Sequence, residues 1–194
     1  MYKSNVKETI YPVGILWNMG NKYAREMMLK IAIMQDVIQV RVYDLKNKYD
    51  SFVLDCYNGD GEAFQDGYIY EKIRNMKSTD NTKAIVFIVK IDNPTYKINE
   101  ENEISQCIEA RRLKQQIRDE YSSKIDGYFF DNLIHMSDNE EEAKRVLNIL
   151  TKYEEFVEED YIRKGYQPII KRVKVKDNKT YTGLLEKLKG DEER

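Results

Sequence analysis

The sequence predicts an α+β or α/β sandwich in which helices lie over one sheet, and three observations predict it. Segments with apolar residues three and four apart alternate with segments whose apolar residues alternate singly or run together, the patterns of helices and strands in turn. One segment, "AIVFIV" at 84–89, is apolar on both faces, as a strand in the middle of a sheet must be. The 194 residues suit a single core, since domains commonly run to roughly 100 to 200 residues.

Taken in order, "VGILW" at 13–17 is a buried strand that stops at the turn residues of "NMGN". Tyr23, Met27, Ile31 and Met34 then line one helical face. In "VIQVRVYDL", Ile38, Val40 and Val42 alternate with Gln39 and Arg41, which predicts a strand with one wetter face. Tyr49, Phe52, Val53 and Cys56 return to helical spacing, and the Asn-Gly-Asp-Gly that follows predicts a helix stop and turn. "YIYEKIRNM" repeats the helical pattern before the central strand.

Residues 92–101 contain Asn-Pro and read as a loop. A charged helix follows, opened by Ile104, Cys107 and Ile108, and its apolar face shifts at Leu113, Ile117 and Tyr121, which predicts a bend or a break near 109–112. "IDGYFFDNLI" is extended. Beyond it, Ser137 with Glu140, or Asp138 with Glu141, fits a capping box. The stripe Ala143, Val146, Leu147, Leu150, Tyr153 and Val157 predicts a helix of about five turns. The main domain is expected over 1–165. In the extension over 166–194, "IIKRVKVK" predicts a strand and "DNKTYTGLLEKL" a turn and short helix.

Composition narrows the function classes. Charged residues make up 34% of the chain but cancel to a net charge of -2, so no global field draws it to nucleic acid or an anionic membrane. The longest apolar run is far short of the roughly 20 residues that span a bilayer, and the N-terminus lacks the apolar core of a signal peptide. A cytoplasmic protein is expected. Cys56 and Cys107 sit in no metal or redox motif, and no metal site built from side chains is expected.

His135 is the sole histidine, set between the apolar "NLI" and the acidic "SDNEEEA". At the end of an extended segment and just before a capped helix, it lies where backbone N–H groups and the helix dipole favour an anion. An imidazole with one nitrogen held and the other facing a substrate is a nucleophile. The arrangement suits phosphoryl chemistry.

The segment "NLIHMSD" at 132–138 resembles the N-[IV]-[IV]-H-G-S-D signature of nucleoside diphosphate kinases, and "QQIRDEY" at 115–121 resembles their T-[IL]-R-G-D-F. The resemblance covers roughly residues 11–165. It implies a ferredoxin-like (βαββαβ) sheet of four antiparallel strands carrying helices, with "GILW", "VIQVRVYDL" and "AIVFIV" as its first three strands and "REMMLKI" as its first helix. It also implies His135 as phosphoryl acceptor, Arg118 as a phosphate ligand, Asn132 as a sugar-side contact and Tyr68 as the residue stacked on the base. Nucleoside triphosphates and diphosphates would be the partners, Mg²⁺ would arrive with the nucleotide, and a homo-oligomer would be the assembly.

The chain departs from that pattern at four places. "WNMG" at 17–20 replaces the K-P-D whose lysine meets the terminal phosphate, Met136 replaces the glycine after the histidine, and Val146 replaces the glutamate that orients the ring. The separation of Arg118 from His135 is also longer than the family's. Arg111, Arg112, Lys114 and Lys22 are candidates to restore positive charge, arginine binding phosphate oxygens through a bidentate fork. Two function classes follow: a phosphotransferase working through a histidine, or a nucleotide-binding or protein-interaction module on the same fold that has lost catalysis.

Overall fold

In the computed structural model, which describes residues 8–58, 67–98, 104–129 and 131–162, the chain opens with strands β1 (Thr9–Ile10) and β2 (Val13–Leu16). A 3₁₀ turn leads to helix α1 (Ala24–Met34) and then β3 (Asp36–Asp44). Next come α2 (Tyr49–Tyr57), α3 (Tyr68–Met76) and β4 (Lys83–Asp92). A hairpin of β5 (Tyr96–Ile98) and β6 (Ser105–Cys107) precedes α4 (Ile108–Tyr121), β7 (Ile134–Met136), α5 (Glu140–Leu150) and β8 (Val157–Ile162).

The main sheet runs β7-β2-β4-β3-β8 with every neighbouring pair antiparallel, and β1 pairs with the far end of β4. Within it, β2-α1-β3-β4-α4-β7 is a βαββαβ unit whose strands lie in the order fourth, first, third, second. That is the ferredoxin-like arrangement, and it settles the fold as α+β. The strand β4 holds the centre because Ala84, Val86, Phe87, Ile88 and Val89 are buried along it.

Gly14 explains how β2 lies so closely beside β4. It pairs directly with Phe87, and a Cβ added at Gly14 would collide with the Phe87 ring. The expected result of Gly14→Ala is a loss of roughly 1–3 kcal/mol, the usual cost of forcing extra volume into a packed core, visible as a lower urea midpoint.

The helices correct three expectations. Helix α4 is continuous: its buried stripe is Ala110, Leu113, Ile117 and Tyr121, and the shift expected near 109–112 arises because Ile104 and Cys107 precede the helix, Cys107 closing β6. The loop expected at 92–101 contains β5. Helix α5 ends at Leu150, and a 3₁₀ turn through Phe156 delivers Val157 into β8. Tyr153 stays in the core, edge-on to Phe52 with ring centres 5.0 Å apart, so the apolar stripe persists although the α-helix does not. The strand and helix expected at 166–194 lie outside the described residues.

A buried ionic cluster fixes β8 to β3. Arg41 and Asp160 face each other in the ladder, with Nη2 2.8 Å from the Asp160 carboxylate and Nη1 2.9 Å from that of Glu154. Gln39 donates a hydrogen bond of 2.9 Å to the other Asp160 oxygen. On the other side of the molecule α1 touches α4, where Lys30 and Glu120 pair. Among the described residues no helix is long and apolar enough to cross a membrane.

Candidate active site

His135 sits in the middle of β7, opposite Ile15 of β2, and is 7% exposed. The segment after it is built to hold the strand end in place. Ser137 is fully buried; it donates its N–H to the Val13 carbonyl at 2.9 Å and accepts the Val13 N–H on its hydroxyl at 2.9 Å. Asp138 gathers neighbouring elements. Its carboxylate lies 3.0 Å from Lys114 and accepts from Gln106 at 3.0 Å, while its carbonyl accepts from the Cys107 N–H at 2.7 Å. The serine and aspartate of the "HMSD" segment therefore shape the turn.

The cap of α5 is Asn139, two residues after Ser137 and one after Asp138, the alternatives read from the sequence. Its side chain accepts from the Glu142 N–H at 2.9 Å. Glu142 reaches back to accept the Asp138 N–H at 2.6 Å, a variant of the capping box in which the third helical residue holds the N–H one place before the cap. The variant matters because the other carboxylate oxygen of Glu142 is then 3.2 Å from Nε2 of His135. The approach is close, but Nε2 makes no hydrogen bond to it. Burial pushes the Glu142 carboxyl up, but His135, the Asp138 N–H and the Lys114 charge outweigh it and hold it at about 2.

Val146, which occupies the position of the expected glutamate, is fully buried in the core. Glu142 lies four residues earlier, one turn back on the same helical face, so a carboxylate reaches the ring from a different position.

Arg118 approaches from α4. Its Nη2 donates to the Ile134 carbonyl at 3.1 Å, and its Nη1 lies 2.8 Å from the Asp131 carboxylate. Asp131 holds a left-handed backbone, φ 60°, and accepts from the Tyr128 hydroxyl at 3.1 Å. Asn132 is fully buried; it donates to Asn75 of α3 and accepts from the Phe129 N–H at 3.3 Å.

Tyr57, the last residue of α2, packs edge-on to His135 with ring centres 5.3 Å apart. It stacks on Trp17 at 5.9 Å, and its hydroxyl accepts from Lys72 Nζ at 2.7 Å. Burial raises the Tyr57 pKa despite the opposing charge of Arg118, so the group is a neutral phenol.

The structure thus brings His135, Arg118 and Asn132 to one place. Tyr68 stands at the start of α3, 36% exposed. Arg111 is exposed two turns before Arg118 on α4 and donates to Gln106 at 2.6 Å, and Arg112 is exposed on the same helix. Lys22 is exposed, its Nζ 5.4 Å from the Tyr23 ring centre. Four site residues escaped the sequence reading: Glu142, Tyr57, Lys72 and Asp131. Only Glu142 left a signal there, as a carboxylate one helical turn before the expected position. Among the described residues no group of three or more histidines, cysteines, aspartates or glutamates could hold a metal ion.

No family model and no curated protein matches the sequence. Among solved structures the chain is similar to a nucleoside diphosphate kinase of Aquifex aeolicus in an orthorhombic crystal form, at 10% identity and a TM-score of 0.46, over 74% of this chain and 95% of that one. It is similar to the nucleoside-diphosphate kinase of Borrelia burgdorferi, a transition-state mimic with bound vanadate and ADP, at 15% identity and 0.42, over 84% and 94%. An NDP kinase from Pyrobaculum aerophilum aligns at 18% identity and 0.42, over 78% and 100%. The ferredoxin-like assignment rests on the strand order of this chain, not on these alignments.

Proposed function

We propose that the chain is a nucleotide-dependent phosphotransferase resembling nucleoside diphosphate kinase, in which His135 carries the phosphoryl group. The observation that carries this reading is the Glu142 carboxylate 3.2 Å from Nε2 of a buried histidine. An ionised carboxylate there keeps the proton on Nε2 and leaves the lone pair on Nδ1. Nδ1 attacks the terminal phosphorus of a nucleoside triphosphate, the bond from phosphorus to the bridging oxygen breaks, and the diphosphate leaves with that electron pair. In the second half-reaction the N–P bond breaks as an acceptor oxygen attacks, and the lone pair returns to Nδ1.

Arg118, whose guanidinium borders His135 through the Ile134 carbonyl, is the cation for the equatorial oxygens of the transferring group. Mg²⁺ would enter bound to the nucleotide and neutralise phosphate charge. Asn132 and Tyr68 are the proposed sugar and base contacts. A second reading, a nucleotide-binding module without turnover, is favoured by Trp17 standing where the resembled family has its phosphate lysine.

Incubation with γ-labelled ATP or GTP and Mg²⁺ tests the first reading. The expected outcome is protein-bound label that is lost in brief acid, survives alkali, and passes to an added nucleoside diphosphate. Saturable nucleotide binding without such label would replace this reading with the second.

A further inference from the structure

Strand β8 ends the main sheet, and among the described residues it pairs with β3 alone. A strand in that position presents a row of backbone N–H and C=O groups able to take one more strand. Its sequence is acidic, with Glu158, Glu159 and Asp160 in succession. Among the described residues Lys83 pairs with Glu158 and Arg41 with the buried Asp160, whereas the exposed Glu159 has the Tyr161 hydroxyl but no cation. Tyr161 itself is buried.

The sequence that follows has the complementary pattern. Residues 163–168 read "RKGYQP" and 169–176 read "IIKRVKVK". The six residues from 163 to 168 make a connection of ordinary length. Gly165 supplies freedom for a turn, and Pro168, which lacks an N–H, suits the point where a loop gives way to a strand. β-Branched residues interleaved with cations then follow, a composition found on edge strands.

An antiparallel return over 163–168 sets Ile169 opposite Ile162. Ile170 then faces Tyr161, Lys171 faces Asp160 and Arg172 faces Glu159. Opposed side chains of a strand pair share a face and interact, so this register puts an apolar residue beside the buried phenol and a cation beside each of the two carboxylates. A slip of one residue in one direction sets Lys171 against Tyr161, and in the other it sets Ile170 against Asp160.

We propose that β8 is the acceptor edge for residues 169–172 of its own chain, which add a further antiparallel strand in this register. Glu159 and Arg172 form the exposed ion pair of the new ladder. The added strand covers an edge that would otherwise be open to a strand of another molecule. The assignment is independent of the nucleotide reading.

Paired cysteines in the full chain test it. Glu159→Cys with Arg172→Cys places two thiols directly opposite, at a Cα separation of about 4.5–5.5 Å that a disulfide spans, whereas Glu159→Cys with Val173→Cys places them on opposite faces. The native Cys56 and Cys107 are buried. Under mild oxidation the expected result is a bond within one chain for the first pair, identified by peptide mass, and only traces for the second. Equal yields from the two pairs, or no bond in either, would overturn the proposal. A bond joining two chains would overturn it in favour of a strand exchanged between copies. Hydrogen exchange gives a second test that needs no cysteine. Arg172→Glu should lower the protection of the β8 N–H groups that point away from β3 by about 2- to 10-fold, and adding Glu159→Lys should restore most of it. Unchanged protection in Arg172→Glu, or no recovery in the double variant, would overturn the pairing.

Discussion

Replacing Glu142 with glutamine is expected to slow phosphorylation of His135 by about 100-fold, a conservative figure beside the losses known for carboxylate–histidine pairs, whereas His135→Ala abolishes it. The amide keeps the size of the side chain and its link to the Asp138 N–H. What it loses is the charge facing Nε2. With its one oxygen kept on the Asp138 N–H, the glutamine turns its NH₂ to the ring and favours the tautomer with its lone pair on Nε2 rather than on Nδ1. Single-turnover labelling at saturating ATP checks this. A Glu142→Gln protein that labels at the wild-type rate would mean that the contact is packing alone.

The same residue predicts a pH dependence of stability. Its carboxyl is depressed to about 2 from an ordinary 4.5, so the stabilisation is complete above pH about 4.5 and disappears as the pH falls through about 2. The stake is roughly 3 kcal/mol. Urea titrations across that interval should show wild type losing stability with a slope that Glu142→Gln lacks.

Replacing Arg41 with alanine is expected to cost about 3–5 kcal/mol, the usual penalty for stripping one partner from a buried ion pair. Asp160 is 6% exposed and would be left with Gln39 alone as a donor in the cluster. The double replacement Arg41→Met with Asp160→Leu should recover most of the loss, because an apolar pair of similar volume leaves no charge uncompensated. Urea denaturation of the two single variants and the double variant measures the coupling. Additive losses would show that the two groups act independently.

Local periodicity was enough to place the central strand, β2, β3 and the helices up to α4, because each of these buries a face that its own spacing defines. It misjudged α5 beyond Leu150. Tyr153 and Val157 continue the stripe, yet one belongs to a 3₁₀ turn and the other starts a strand anchored by Asp160 against Arg41, a long-range contact that no window of sequence contains. In the candidate site, a local motif around each of His135 and Arg118 marked them as candidates, and the fold places them near one another. Glu142 was hidden by an expected spacing, although helical geometry allows the same face to be reached a turn earlier. Tyr57 and Lys72 belong to two separate helical segments whose apolar faces are marked by other residues, so neither stood out. Only the fold sets them against β7.

The pairing of Arg118 with Asp131 changes how an incoming ligand is weighed. The guanidinium already holds an anion of its own, tethered in a left-handed turn and steadied by Tyr128. Under the proposed function, recognition at this arginine would be an exchange of counterions, the phosphate taking the place of the Asp131 carboxylate. A weakly charged molecule would gain little from such a trade and a polyphosphate most, so the resident ion pair would set a threshold of charge for a visitor.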